Sequence, residues 1–125
     1  MASYELHHLH HETADVDSTV AFYQTNFAAD LLERTERDGV QWGTVRVGGA
    51  MLNVTNRGVF DVALGVYNGL DHFALRTTDL DDTISTLRAN GVNIFLEPMS
   101  PKPGVRIAFV SGPDNVKIEI LQIDS

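Results

Sequence analysis

Leu6-His7-His8-Leu9-His10-His11-Glu12, read together with Asp15, decides how this chain is to be understood. Four of the five histidines lie in it, and the fifth, His72, stands in Leu70-Asp71-His72-Phe73-Ala74-Leu75-Arg76. A shift of 64 residues lays His8 on His72, Leu6 on Leu70, Thr13 on Thr77, Asp15 on Asp79, Asp17 on Asp81, Thr19 on Thr83 and Asn26 on Asn90. It also matches Val16 with Leu80 and Val20 with Ile84. The histidine-rich stretch is therefore half of a pair. Two copies mean an internal duplication, because a solenoid needs more repeats to bury its faces.

Outward from that stretch, alternation over residues 4–12 predicts a strand. Leu6, His8, His10 and Glu12 share one face, and His7, Leu9 and His11 share the other. Asp15 or Asp17 caps a helix from about Ser18 to Ala28, with Val20, Tyr23 and Phe27 near one face. Strands are expected over Leu31 to Arg37, Val40 to Val47 and Met51 to Thr55, with Asp38-Gly39 and Gly48-Gly49 as turns. Residues 56–69 read as a connection. The pattern then restarts: a strand over Leu70 to Arg76, a helix capped by Asp79 or Asp81, and Gly91 at the left-handed position that ends it. Val92 to Leu96 is a strand. Glu97 to Gly104 holds Pro98, Pro101 and Pro103 and reads as a loop. Val105 to Val110 and Val116 to Ile123 are the last strands, joined by the turn Gly112-Pro113-Asp114-Asn115. The expected fold is α+β: one domain over residues 1–125, made of two βαβββ modules (about 4–55 and 70–123) whose sheets curve into an open, barrel-like cup.

Composition narrows the class. At 125 residues the chain is long enough for a real core. It carries 9 Lys plus Arg against 17 Asp plus Glu, a formal charge of −8. Such a surface repels nucleic acid and anionic membranes. There is no cysteine, which excludes disulfides, a thiol nucleophile and thiolate metal sites. No signal-peptide pattern or membrane-length apolar run is evident, so a cytoplasmic location is expected.

In the last strand Val116, Ile118, Ile120 and Gln122 form the apolar face that should meet the helix. Lys117, Glu119 and Leu121 turn to the opposite face. A carboxylate in so hydrophobic a strand needs a cation or hydrogen bonds. His8, His72 and Glu119 make a candidate divalent-metal set: two imidazoles and one carboxylate, with positions left open for water or substrate. An isolated strand histidine is more often a packing or surface residue. Two at equivalent points of a duplicated unit, with an inward glutamate in the closing strand, are hard to obtain from packing alone. His10, two residues past His8, shares its face and is a candidate acid–base group. Glu12 and Arg76 occupy equivalent places and are expected to pair; Arg76 is otherwise a clamp for a substrate carboxylate or phosphate. Trp42, with Phe60 and Tyr67, is a candidate wall of an apolar substrate pocket. His7 and His11 belong to the packing side.

The chain resembles the vicinal-oxygen-chelate (VOC) superfamily, which includes glyoxalase I, methylmalonyl-CoA epimerase, extradiol dioxygenases, fosfomycin-resistance enzymes and bleomycin-binding proteins. The resemblance is carried by Leu-His-His with Asp-Val-Asp-Ser-Thr-Val-Ala-Phe-Tyr, by Leu70-Asp71-His72-Phe73 through Asp81, and by the closing hairpin from Ile107 to Ile120. It implies that His8, His72 and Glu119 bind a divalent metal (Fe, Mn, Ni, Zn or Co). It also implies that Asn53 stands where many relatives carry a fourth ligand, and here is a substrate contact, a water holder or a spectator. The implied activity is that of a glyoxalase- or epimerase-like lyase or isomerase. Its small oxygenated substrate would be chelated through adjacent oxygens, with Glu119 or His10 moving the proton. An Fe(II) extradiol-type dioxygenase is the alternative, and a non-catalytic binding protein like the bleomycin binders a further one. The resemblance also implies a homodimer, with the site formed within one subunit or shared between two.

Overall fold

The computed structural model describes residues 1–124, in two compact units that divide after Phe60. The first contains β1 (Leu9–Glu12), α1 (Val16–Phe27), β2 (Asp30–Arg37), β3 (Val40–Val47) and β4 (Ala50–Thr55). The second contains β5 (Phe73–Arg76), α2 (Leu80–Ala89), β6 (Asn93–Lys102), β7 (Val105–Ser111) and β8 (Lys117–Ile123). Each is a four-stranded sheet with one helix, in the orders β1-β4-β3-β2 and β5-β8-β7-β6. In each, the opening strand runs parallel to the closing strand and the remaining neighbours are antiparallel. These are the two βαβββ modules of an α+β fold.

The duplication extends to individual hydrogen bonds. Asp15 caps α1 by accepting from the Ser18 amide, and Asp79 caps α2 by accepting from Asp82, both at 3.0 Å. The Thr13 and Thr19 hydroxyls meet at 2.8 Å, as do those of Thr77 and Thr83. The amides of Thr13 and Thr77 donate to the carbonyls of Thr55 and Leu121. Each copy thus fixes the strand-to-helix corner by a side-chain cap on orphan amides and a hydroxyl pair.

Each helix covers one face of its own sheet. Val16, Val20 and Tyr23 of α1 are buried, as are Val45, Val47, Leu52 and Val54 of β3 and β4. Leu80, Ile84 and Leu87 of α2 are buried in the second module, with Ala108, Val110, Ile118 and Ile120 of its sheet. Gln122 confirms the expected helix-side face of β8, since its Oε1 accepts from the Leu80 amide at 2.7 Å. His11 is buried at 4% exposure with Nδ1 3.0 Å from the Tyr23 hydroxyl, the packing role expected of it.

Two expectations are corrected. The opening strands are four residues each, so Leu6, His8 and His72 precede them. These are edge strands, and alternation makes a ladder only where a partner supplies hydrogen bonds. The Pro-rich segment is not a loop: β6 continues through Pro98 and Pro101 to Lys102. It survives because β6 is an edge strand with three register shifts, and its paired residues (Asn93, Ile94, Leu96, Met99, Lys102) include neither proline. The connection over 56–69 is also divided. Asn56 and Arg57 bond to Gln41 and Glu12 of the first module, whereas Val62 and Gly65 accept from Asn115 and Lys117 of the second.

Gly43 shows how closely α1 lies on β3. A Cβ there would stand 2.9 Å from Val20 Cγ2 and 3.2 Å from Val16 Cγ1. Both contacts are on stiff β-branched side chains of the helix, so the helix itself would have to move. Gly43→Ala should destabilise the protein by about 1–3 kcal/mol, the range for overpacked cores, read as a lowered urea midpoint at unchanged m-value.

Candidate functional site

The faces that the helices leave uncovered carry the polar clusters. In the second module, register places Ala74 beside Glu119 and Phe109 across from Glu119, with Ile118 and Ile120 turned to the helix. His72, one residue before β5, lies between two carboxylates. Its Nδ1 is 2.7 Å from Asp71 Oδ2 and its Nε2 is 3.0 Å from Glu119 Oε1. The ring meets Phe109 edge-on at 4.8 Å, and Phe109 in turn contacts Phe95 at 5.7 Å. The His72 and Glu119 side chains are 30% and 19% exposed, accessible to a small ligand yet partly shielded from water.

Lys117 anchors this arrangement from the same face of β8. Its ammonium donates to the Gly65 carbonyl at 2.6 Å and to the Asp71 carboxylate. The Lys117 hydrogen bond, followed by that of His72, holds the Asp71 carboxyl below its ordinary value. An ionised Asp71 accepts the Nδ1 proton and leaves the Nε2 lone pair facing the Glu119 carboxylate. Two acceptors in contact require a proton or a cation between them, so this donor chemistry fits a divalent metal. A carboxylate behind a ligating histidine is also the usual orienting partner in metal sites. Among the described residues no three His, Asp or Glu side chains stand poised around one point; the convergent pair is His72 and Glu119.

The first module carries a different cluster. His10 Nε2 lies 2.8 Å from both Glu12 Oε1 and Thr55 Oγ1, and Thr55 also donates to Glu12. The Arg57 amide donates to Glu12 Oε2 at 2.9 Å, while its guanidinium lies 5.4 Å above the Trp42 ring. His10 touches the same ring edge-on at 5.8 Å. Glu12 and Thr55 thus hold the ring through Nε2 and leave Nδ1 outside these contacts. Burial opposes the Glu12 charge, but bonds from Thr55, His10 and the Arg57 amide outweigh it and hold this carboxyl below its ordinary 4.5.

The remaining candidates fall as follows. Asn53 pairs with His10 across β1 and β4, as Glu119 pairs with Ala74, so Asn53 occupies the Glu119 position of the first module. Its Oδ1 accepts from the Thr44 hydroxyl at 3.0 Å. His8 is exposed beside His7, Nδ1 to Nδ1 2.9 Å. Glu12 and Arg76, expected to pair, find partners within their own modules: Glu12 as above, Arg76 on the Ile123 carbonyl at 3.3 Å. Phe60 and Tyr67 are exposed. Asp71, Lys117, Thr55 and Arg57 are contributors that sequence reading missed. Only Asp71 and Lys117 left a trace, one adjoining His72 and the other alternating with Glu119.

Residues 5–120 match the Glyoxalase/Bleomycin resistance protein/Dioxygenase superfamily. The chain belongs to this superfamily. It is 30% identical over 130 residues to a probable lactoylglutathione lyase of Vibrio cholerae, covering 98% of this chain and 93% of that one. It is 32% identical over 119 residues to a probable lactoylglutathione lyase of Synechocystis, covering 89% of each. Against a lactoylglutathione lyase of Arabidopsis thaliana it spans only 43% of the relative's length, at 30% identity. Among solved structures, glyoxalase I from Zea mays aligns with TM-score 0.78 and 26% identity, over 95% of this chain and 45% of that one. A superfamily domain from Frankia sp. EAN1pec aligns with TM-score 0.82 at 19% identity, over 99% and 95% of the two chains, a likeness of fold.

Within the superfamily fold the Glu12 cluster has a measurable signature. A carboxyl whose folded pKa is depressed stabilises the fold above its unfolded value, and that contribution is lost as pH falls through the folded value. Glu12→Gln should therefore lower the urea midpoint near pH 7, and the gap from wild type should narrow as the pH falls below 4.5 and through the depressed folded value.

Proposed function

We propose that the chain is a metal-dependent lyase or isomerase of glyoxalase type, acting on a small oxygenated substrate held through adjacent oxygens. The observation that carries this reading is His72 lying between Asp71 and Glu119, a ligand and its orienting carboxylate facing a second anionic donor. The names of the relatives favour a lyase, with a lactoylglutathione-like thioester or its precursor as the first substrate to try. The metal ligands we assign are His72, Glu119 and His8, the last from this chain or from a second copy. A divalent ion bound there supplies Lewis acidity toward the chelating oxygens.

The protein's own groups do the rest. Asp71, braced by Lys117, fixes which nitrogen of His72 faces the ion. Glu119, or His10 steadied by Glu12 and Thr55, accepts the proton at carbon and returns it. Trp42 offers an apolar wall, and Asn53 and Arg76 contact the substrate's polar ends. Asn53 bonded to Thr44 also suits a three-ligand centre, the set an Fe(II) dioxygenase uses, and oxygen uptake with catechols would favour that second reading.

We further propose a single domain over 1–125, cytoplasmic and paired as a homodimer; the exposed apolar side chains of Tyr4, Leu6, Phe60, Val66 and Leu70 support the pairing. Light scattering should give about twice the monomer's 13.8 kDa, and a monomer at micromolar concentration would sink the dimer.

Metal analysis tests the site. His8→Ala and Glu119→Ala should each lose metal, and full occupancy in both would remove the assignment. Asp71→Asn should weaken metal affinity about 10–100-fold in competition with a chelator, as for other orienting partners. Diketo, 2-hydroxy-acid and catechol substrates offered to the metal-loaded protein then separate the reaction classes.

A further inference from the structure

A cavity of about 440 Å³ lies at the C-terminal ends of β5 and β8, lined by Arg76, Thr77, Thr78, Gln122, Ile123 and Asp124. Its walls are rich in donors. The Arg76 guanidinium has five N–H groups, and its contact is the Ile123 carbonyl at 3.3 Å. Among the described residues it enters no ion pair with any carboxylate. Gln122 uses its Oε1 on the Leu80 amide, which turns its two amide N–H groups away from that contact as donors. The Thr77 hydroxyl is committed to Thr83 and to the Asp79 carbonyl, so the adjustable hydroxyl of the lining is that of Thr78. The opposing acceptor is Asp124, whose charge acts on Arg106, the partner of Asp81.

Register ties the cavity to the site. Arg76 pairs with Leu121 and Ala74 with Glu119, so Arg76 rises from the same sheet face as Glu119, two residues further along. That is about 7 Å at the rise of a strand. The first module has no counterpart, because the position equivalent to Arg76 is Glu12, an anion already satisfied by Thr55, His10 and Arg57. The duplicated scaffold has thus acquired opposite charge at this one place.

We propose that the cavity is an oxyanion subsite, in which the Arg76 fork binds a carboxylate or phosphate group. A substrate reaching Glu119 would carry that group on the side of its chelating oxygens toward the C-terminal ends of β5 and β8. The link to the substrate rests on the proposed chelating site, whereas the anion site does not.

The test follows the Arg76 Nε–H resonance, identified by its loss in Arg76→Gln. Sodium phosphate or sodium acetate is titrated at constant ionic strength into the full chain without added metal. A saturating shift is expected, unchanged in His72→Ala, with an apparent Kd raised about tenfold or more in Arg76→Lys, which keeps the charge and loses the fork. Tighter saturation by phosphate assigns a phosphoryl-bearing ligand, and tighter saturation by acetate a carboxylate. A shift that does not saturate, or that appears equally at Arg57, would overturn the subsite, since it would report bulk charge alone. Loss of the response in His72→Ala would overturn it too, by moving the anion to the histidine. Failure of metal binding with an intact anion titration would remove the chelation reading and leave the subsite standing.

Discussion

Parallel pairing between the first and last strand of each module is the constraint from which the rest follows. A parallel neighbour cannot be reached by a tight turn, so the chain must cross over. Here the crossover includes one helix and two antiparallel strands. One helix covers one face of a four-stranded sheet, and the other face carries the polar cluster of its module. The same pairing sets the register that places Glu119 beside Ala74 in one copy and Asn53 beside His10 in the other.

The duplicated scaffold and the unlike chemistry it carries answer to different forces. The caps, the threonine pairs and the apolar positions are the same in both copies, because each must satisfy helix-end amides and bury one helix face. The open faces have no such obligation and have diverged: Asn53 against Glu119, His10 against Ala74, Glu12 against Arg76. One face holds a histidine steadied by a carboxylate, and the other a histidine between two carboxylates, with a donor-rich cavity at the far end of the same strand. Membership of a superfamily explains the shared part and leaves the divergent part to be read residue by residue.

Much of this was legible in the linear pattern, and the exceptions share a cause. The modules, both helices with their caps, and the inward turn of Glu119 follow from local periodicity and the 64-residue shift. The opening strands were read too long, and β6 was read as a loop, because strand existence depends on a partner elsewhere in the chain. Pro98 and Pro101 are tolerated at a sheet edge and would not be in its middle. Lys117 was visible as a face-mate of Glu119, but its bond to Asp71 depends on two segments 46 residues apart meeting. The expected pair of Glu12 with Arg76 assumed that equivalent positions attract, whereas Glu12 is satisfied by nearer groups and Arg76 meets the Ile123 carbonyl.

The sequence by itself determined a duplicated βαβββ chain, the superfamily to which it belongs, and His72 and Glu119 as residues out of keeping with simple packing. Those conclusions rest on periodicity, capping and repetition, which are properties of neighbours along the chain. The tertiary structure alone decided that His72 touches Glu119, that Asp71 and Lys117 orient it, that His10 leans on Glu12 and Thr55, and that Arg76 faces a cavity. Hydrogen-bond geometry depends on ångström-scale distances between strands that the order of residues does not encode.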